Sequence, residues 1–224
     1  MMQQRKSKRV LTYFLFLMII SSTNNIDLNK VNFDIVKDIK ISGLNNIQEE
    51  NLIKEIKKID LKSIFLLNDK EIKRIINENT LIEEYEIFKK YPSSLYIKIQ
   101  KTKFLAKINI EGTTYLVGSN GKLSSNYLSD KDLPYIFGNP DILEFLNLIN
   151  TIKDTNISHN QINKFFFYKS RRWDLKLNND ITLKLPDKNI KDALDSAYEF
   201  VKNKNFDKNK IIDLRIEGQI IVNE

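Results

Sequence analysis

The chain has 224 residues, with 36 Lys or Arg, 29 Asp or Glu and a formal net charge of +7. It has no cysteine and a single histidine, which excludes disulfide bonds, thiolate metal sites and metal sites built from several histidines. Four of the cations lie within residues 5–9, ahead of the first acidic residue, and without them the net charge falls from +7 to +3. The remainder is mixed in charge and lacks the basic surface typical of nucleic-acid-binding proteins.

The four cations precede an apolar run at residues 10–20, which only Thr12 interrupts. Cations ahead of an apolar segment favour an N-terminus on the cytoplasmic side of a membrane. Extended to Thr23, the run is about 21 Å long as a helix, whereas the hydrocarbon core of a bilayer is about 30 Å thick. By length alone the segment is therefore closer to the core of a signal peptide than to a full span.

We expect this segment to be a retained membrane anchor at residues 10–23, between a cytoplasmic tail at 1–9 and a polar linker at 24–32. Cleavage of a signal peptide is the alternative, because residues 21–23 are small, although no Ala-x-Ala pattern follows. In both interpretations we expect the rest of the chain outside the inner membrane, in the periplasm or its equivalent.

Residues 33–103 have the pattern of a small α+β domain with two helices on a three-stranded sheet. Gly43 ends the first apolar run, Asn46 is the expected N-cap of the first helix, and Asn68 precedes the second helix. The predicted elements, in order, are a strand at 35–41, a helix at 47–58, a helix after Asn68, and strands at 85–87 and 95–99.

Residues 104–224 have the pattern of a mostly antiparallel β domain with flanking helices. Trp173 begins a hairpin that turns at 178–180, and its default place is the core. The predicted elements, in order, are strands at 106–110, 113–117 and 122–124, a loop at 133–138, a helix at 141–153 capped by Asp141, the hairpin at 173–185, a helix at 190–202 and a final strand at 210–222.

The sequence contains no recognisable active site. The adjacent pairs Glu49-Glu50 and Glu83-Glu84 point in different directions on any regular element, so we interpret them as solvated charges. The glycine-containing turn at 118–121 is too short for a phosphate-binding loop, because only two residues separate its glycines. His159 has no obvious catalytic partner and is expected in a surface loop. We therefore predict a protein that is not an enzyme and has no cofactor, metal or small-molecule substrate.

The final strand indicates a binding function instead. Ile212, Leu214 and Ile216 alternate with charged residues, which predicts one buried and one charged face. If this strand lies at a sheet edge, its free N–H and C=O groups can pair with an extended segment of a partner. An ordinary terminal strand with solvated charges is the alternative.

Two groups of segments resemble known families. Residues 39–43, 66–68 and 89–99 resemble a POTRA domain, and residues 171–186 are close to the pattern of the bacterial cell-division family FtsQ/DivIB through their whole length. Asp213-Leu214-Arg215 resembles another signature of that family. The resemblance implies a membrane-anchor helix, a POTRA domain at 33–103 and a β domain at 104–224.

The resemblance also implies a single-span divisome scaffold at the division septum, with its bulk in the periplasm. FtsQ-like proteins bind the FtsB subunit of the FtsB–FtsL coiled-coil pair through the last strand of the β domain, and septal peptidoglycan synthase components are further implied partners. Five contact residues carry over by motif: Arg172, Arg215, Ile216, Glu217 and Gly218.

The chain departs from the family pattern at several places. Ile216 stands where the family often has an aromatic residue, Gly118 replaces an aspartate, and residues 100 and 103 lack the usual acid and proline. Two other function classes stay open at this point. One is a POTRA-containing factor for outer-membrane assembly or secretion, and the other is a periplasmic binding protein or enzyme released by signal cleavage.

Overall fold

The computed structural model describes residues 4–22, 35–59, 61, 63–64, 67–125, 132–202 and 210–223. Its contacts divide the chain into two compact units. The first combines residues 1–40, 60–67 and 88–96, and the second combines residues 41–59, 68–87 and 97–224. The expected linker at 24–32 lies outside the described residues.

The N-terminal helix α1 spans Gln4–Ser22 and begins within the expected tail. The four cations of the N-terminus lie in its first two turns. Its large apolar side chains from Val10 to Ile20 are each more than half exposed. Among the residues that the structure describes, none of the helices combines the length and the apolar character needed to cross a membrane.

The next two helices begin at asparagine caps. Helix α2 (Asn46–Lys57) is capped by Asn45, whose side chain accepts a hydrogen bond from the Gln48 N–H at 2.9 Å, while the Gln48 side chain accepts one from the Asn45 N–H at 3.4 Å. This reciprocal capping box lies one residue earlier than the predicted cap at Asn46. Helix α3 (Asp69–Glu78) is capped by Asn68, as predicted.

These helices accompany a three-stranded sheet in the predicted order of elements. Its strands are β1 (Asp38–Ser42), β2 (Ile82–Lys90) and β3 (Ser94–Lys101), arranged as β1-β3-β2. Gly43 follows β1 at a φ of +108°, and a Cβ there would lie 1.8 Å from the carbonyl oxygen of Ile99. Glycine is therefore the only residue that fits this turn without moving the backbone.

Within the first unit, the turn between β2 and β3 contacts the segment that leads into β1. The N–H of Lys37 donates to the Ser93 carbonyl at 2.8 Å. The rings of Phe88 and Tyr96 stack at 5.9 Å, and the Lys90 ammonium lies 5.2 Å from the Tyr96 ring centroid. These contacts fix the hairpin turn at both of its strands.

The second sheet has nine strands among the described residues, and it lies wholly in the second unit. In spatial order they are β12-β11-β10-β9-β8-β7-β4-β5-β6. Neighbours are antiparallel except at the β10–β11, β7–β8 and β4–β7 pairs. The strand bounds are β4 (Phe104–Ile110), β5 (Thr113–Gly118), β6 (Leu123–Ser124), β7 (Tyr135–Phe137), β8 (Ile162–Phe167), β9 (Trp173–Leu177), β10 (Thr182–Lys184), β11 (Ile211–Asp213) and β12 (Ile221–Asn223).

Helices α4 (Ile142–Lys153) and α5 (Ile190–Lys202) contribute to one hydrophobic core with this sheet. Asp141 caps α4 as predicted, accepting a hydrogen bond from the Leu143 N–H at 2.7 Å. Phe145, Phe165 and Trp173 pack at the centre, with ring centroids 5.2 to 6.3 Å apart. Trp173 is 3% exposed, which confirms its predicted place in the core.

Two strands of this sheet depart from the prediction. The segment at 133–138, expected to be a loop, contains β7, whose central residue Ile136 is 1% exposed. β8 was not predicted, because three successive phenylalanines and a register shift between Ile162 and Lys164 obscure the period of two. β7 pairs in parallel with both β4 and β8, and it thereby connects the antiparallel strands β4–β6 with the antiparallel strands β8–β10.

The turn after β5 makes polar contacts with the end of α3 and the start of β2, all within the second unit. The Asn120 side-chain amide donates to the carbonyls of Thr80 at 3.1 Å and Ile82 at 2.8 Å. The Lys122 ammonium donates to the Asn79 carbonyl at 3.1 Å, near the C-terminal end of α3, where a cation is favourable.

The same turn also meets a carboxylate of β2. One oxygen of Glu83 accepts hydrogen bonds from the Thr102 hydroxyl at 2.8 Å and the Ser119 hydroxyl at 2.6 Å. We call this set of contacting side chains the polar junction, and it consists of Glu83, Thr102, Ser119, Asn120 and Lys122.

Candidate functional site

The predicted final strand at 210–222 is two strands with a loop between them. β11 ends at Asp213 and β12 begins at Ile221. The loop contains a turn in which the Gln219 N–H donates to the Ile216 carbonyl at 3.1 Å, and Gly218 has a φ of +72°. Four of the five predicted contact residues therefore lie in this loop: Arg215, Ile216, Glu217 and Gly218.

The predicted burial and edge position of this segment are also wrong in part. Ile212 and Leu214 are buried, but Ile216 is 52% exposed because the chain has already left the sheet. β11 lies between β10 and β12, so it is an internal strand. The edge of the sheet at this end is β12.

The contacts of β11 show which way its backbone groups point. The Thr182 N–H donates to the Lys210 carbonyl at 3.0 Å, and the Leu214 N–H donates to the Lys184 carbonyl at 2.9 Å. Because backbone direction alternates along a strand, Ile212 also directs its N–H and C=O toward β10.

The remaining residues of β11 direct their backbone groups toward β12. Ile211 stands opposite Asn223, and Asp213 stands opposite Ile221. Ile221 and Asn223 therefore bond to β11, and the N–H and C=O of Val222 point away from it. On that side, no further strand pairs with β12 among the described residues.

Arg215 is held by a buried carboxylate. Its Nε–H donates to the two carboxylate oxygens of Asp213 at 2.8 and 2.9 Å, and a terminal guanidinium nitrogen also donates to Asp213. The hydrogen bonds from Arg215 hold the pKa of Asp213 below its ordinary value. Asp213 is 7% exposed, whereas the Arg215 side chain keeps 44% of its surface exposed.

Arg172 has a similar but looser arrangement. Its Nε lies 3.4 Å from a carboxylate oxygen of Asp174, which is buried, and its guanidinium lies 4.8 Å from the Tyr168 ring centroid. Burial, and next the Asp174 carboxylate, raise the pKa of Tyr168. The Arg172 side chain is 25% exposed.

The structure brings Arg172 and Arg215, which we call the arginine pair, to the same end of the sheet. β9 runs antiparallel to β10 and β11 runs parallel to it, so the start of β9 and the end of β11 both lie beside the C-terminal end of β10. With one strand between them, the backbones of the pair are about 10 Å apart. Two arginine side chains that are partly exposed can bind carboxylates of an approaching segment.

The other predicted residues border a cavity that Arg215 also lines. It has a volume of about 410 Å³ and lies between the loop that precedes α5, the first turns of α5 and the β11–β12 loop. Glu217 accepts a hydrogen bond from the Asn189 side chain at 3.0 Å, which joins two of these segments. The lining residues include Pro186, Asn189, Ala193, Ile216, Glu217 and Ile220.

His159 lies apart from these residues. It was expected in a surface loop, but it is half-buried in a short 3-10 turn at 159–161, with its ring centroid 6.1 Å from that of Phe165. Burial lowers its pKa. Within the described ranges, no group of three or more His, Cys, Asp or Glu side chains is placed to hold a metal ion.

Sequence reasoning missed the buried carboxylates that contact the arginine pair. Asp174 and Asp213, which we call the aspartate pair, were read only as the outward residues of alternating strands. The available signal was the spacing of each arginine two residues from an aspartate, which in an extended segment puts both side chains on the same side. No local pattern in the sequence indicates that the two arginine–aspartate pairs would be neighbours in the sheet.

Comparison with known proteins relates the chain to one family. A model of the FtsQ-type POTRA domain matches residues 35–101, and a model of the C-terminal region of cell division protein FtsQ/DivIB matches residues 106–215. The solved structure of the major extracytoplasmic domain of the trans isomer of cell division protein DivIB from Geobacillus stearothermophilus is 13% identical and covers 47% of this chain and 98% of its own. Its TM-score of 0.33 is too low for a comparison of the two folds.

Similar proteins from other bacteria carry the name of the same family. Cell division protein FtsQ of Rickettsia bellii is 28% identical over 190 residues, which are 84% of this chain and 71% of that protein. FtsQ of Rhizobium meliloti is 21% identical over 191 residues, which are 84% of this chain and 62% of that protein. With the two family models matching consecutive parts of an α+β structure, the chain belongs to the FtsQ/DivIB family of bacterial cell-division proteins.

Proposed function

We propose that the chain is a non-enzymatic, single-span scaffold that binds FtsB- or FtsL-like coiled-coil subunits of the divisome by pairing β12 with an extended segment of the partner. The family supports the coarser part of this function, a scaffold role in cell division among other division proteins. The observation that carries the finer part is the backbone of Val222, which points away from β11 at the edge of the sheet.

An edge strand of this kind supports strand addition. β12 is three residues long, and Ile221 is 41% exposed, so a partner strand has access to both backbone and side chain. Main-chain hydrogen bonds give affinity in this binding mode, and the side chains around the edge give specificity. The short length of β12 also limits indiscriminate pairing with other edges.

The arginine pair supports the choice of partner. Both arginine side chains keep exposed surface near the end of β11, so they favour a segment that carries carboxylates. Ile216 offers an exposed apolar contact, and Glu217 and Gly218 border the cavity beside it. These five residues form the proposed partner-binding surface.

The proposed location is the inner membrane at the division septum, with the N-terminus in the cytoplasm and the bulk of the chain in the periplasm. The cations at the start of α1 and the exposed apolar side chains after them support this orientation. The proposed domains are a cytoplasmic tail at 1–9, an anchor at 10–23, a linker at 24–32, a POTRA domain at 33–103 and a β domain at 104–224.

The test is a pair of substitutions at one position. Val222→Pro removes the outward N–H donor, whereas Val222→Ala shortens the side chain and keeps the donor. We expect Val222→Pro to weaken binding of the extracytoplasmic segment of the FtsB homologue from the same genome by about tenfold or more, since it removes a main-chain hydrogen bond and obstructs the approach of a strand. Val222→Ala should change the affinity by less than about threefold.

Binding is measured by fluorescence anisotropy with the purified full chain, and mid-cell recruitment of the partner is followed in cells with a fluorescent fusion. Because Val222 does not bond to β11, circular dichroism and thermal unfolding should be alike for both variants. Unchanged affinity of the Val222→Pro chain would reject β12 as the binding edge.

A further inference from the structure

Three charged side chains stand opposite one another across β9, β10 and β11. Lys184 in β10 is paired with Asp174 in β9 and with Asp213 in β11. Residues directly opposite in neighbouring strands share a face of the sheet, so the three form one row. The residue next to each along its strand is at most 1% exposed and belongs to the core that α4 and α5 cover: Leu175, Leu183 and Ile212. The charged row therefore lies on the opposite face.

The two carboxylates of this row are buried although their face carries no helix of the core. Asp174 is 2% exposed and Asp213 is 7% exposed. A buried carboxylate destabilises a fold unless it is paired, and the arginine pair supplies the partners. Arg215 alone makes three hydrogen bonds from its side chain and one from its backbone N–H to Asp213. The side chains that bond to the buried carboxylates are thus also the cations of the proposed partner-binding surface.

We propose that the aspartate pair consists of positioning residues, which hold the arginine pair in the orientation that an acidic partner segment requires. This inference rests on the proposed function, because it concerns the same surface. The physical reason is that a free arginine side chain loses several rotatable degrees of freedom when it binds, whereas an arginine already bonded to a fixed carboxylate has lost most of them.

The geometry leaves donors free for a partner. Nε and one terminal nitrogen of Arg215 face Asp213, and a guanidinium group has five N–H donors in a planar fork. The Arg215 side chain as a whole keeps 44% of its surface exposed. Lys184 stands between the two carboxylates and reduces their repulsion. Together, Lys184, the arginine pair and the aspartate pair comprise three cations and two carboxylates, so their net charge is slightly positive.

The decisive variant is Asp213→Asn, which has nearly the same volume and makes the surface more positive by one charge. If the arginine pair acts through charge alone, an acidic partner should bind the variant more tightly. If Asp213 positions Arg215, the partner should bind about tenfold more weakly despite the added positive charge. The two outcomes differ in sign, so either unchanged or tighter binding overturns the proposal.

Arg215→Lys is the second variant, since it keeps the charge and loses the planar fork. It should weaken binding about as much as Asp213→Asn does. A matched control is Asp154→Asn, which makes the same change of net charge at the exposed C-terminal cap of α4. This control should leave the affinity within about twofold of the wild-type chain, and an equal loss in the control would overturn the positioning role.

A spectroscopic signal separates positioning from general loss of structure. In the wild-type chain, the Nε–H of Arg215 should give a distinct NMR resonance that is protected from solvent exchange, because it donates to both oxygens of Asp213. In Asp213→Asn the resonance should move to the position of a mobile arginine while the amide spectrum of β9 and β10 is kept. A wild-type Arg215 with the exchange rate of a free side chain would contradict the proposal.

The same partner segment is used as for the Val222 variants, so the two proposals fail separately. If the wild-type chain does not bind it, or if Val222→Pro binds unchanged, the proposed function fails. If Val222→Pro abolishes binding while Asp213→Asn binds as well as the wild-type chain, only the positioning role fails. A partner segment with its acids replaced by amides should bind the wild-type chain and Asp213→Asn equally.

Discussion

Asn120 in the polar junction is the position at which the structure makes its sharpest prediction about stability. Asn120→Ala removes two hydrogen bonds, to the carbonyls of Thr80 and Ile82, and one that the Lys122 backbone N–H donates to the Asn120 side chain at 3.0 Å. A net intramolecular hydrogen bond stabilises a fold by about 0.5–1.5 kcal/mol. Since Asn120 is only half-buried and water can replace part of the loss, we expect a decrease of about 2–3 kcal/mol in the free energy of unfolding.

Urea unfolding of the full chain measures this change. The single tryptophan, Trp173, is 3% exposed in the core of the second unit, so its fluorescence reports on the unfolding of that core. The urea midpoint should fall while the slope with urea concentration stays constant, because the same surface is exposed on unfolding.

Asn147→Ala is the matched control, because Asn147 is exposed on α4 and alanine is a better helix former. The control should lie within about 0.5 kcal/mol of the wild-type chain. If Asn120→Ala is as stable as this control, the polar junction contributes nothing to the fold and the reasoning from its distances is wrong.

Two further predictions concern Asp213 and Gly43. Because hydrogen bonds from Arg215 lower the pKa of Asp213, the stabilisation is present above the ordinary carboxyl pKa of 3.8 and is lost as the pH falls through the lower folded value; a carboxyl carbon NMR titration should have its midpoint below 3.8, and Arg215→Met should raise it. Gly43→Ala should lower the free energy of unfolding by about 3 kcal/mol or more, since its Cβ meets the Ile99 carbonyl oxygen, whereas Gly112→Ala, at a φ of +83° with open space, should lower it by about 1–2 kcal/mol. Equal losses in the two glycine variants would contradict the steric argument.

Helices were the most predictable part of the fold. Asn68 and Asp141 are caps where the sequence predicts them, since an asparagine or aspartate ahead of an apolar period has few other local roles. The cap of α2 was displaced by one residue because Asn45 and Asn46 are adjacent. The choice between them depends on Gln48, which completes the capping box with Asn45.

Strands were less predictable where they are short or parallel. β7 has three residues and one fully buried side chain, too little for an alternating pattern. In the C-terminal segment, the alternation of apolar residues continues to Ile216 although β11 ends at Asp213. The positive φ of Gly218 is the physical reason for the turn, and glycine in an otherwise regular strand was the available signal.

The site could be predicted only at the level of single residues. Motif resemblance selected Arg172 and Arg215, and the structure brings them to one end of the sheet. Their buried partners depend on the register of β10 with β9 and β11, which no local pattern in the sequence determines. The family assignment supports a role in cell division.

The parallel pairing of β10 with β11 has a genetic consequence. The polypeptide must return from the end of β10 to the beginning of β11, and α5 lies on that return path with Leu194 and Ala197 fully buried. A bulky or polar substitution at either position would shift α5 and displace β11 and β12. It would do so without altering any residue of the proposed partner-binding surface. We expect division-defective alleles in α5 that mimic the loss of the binding surface, and second-site suppressors that refill the space beneath the helix.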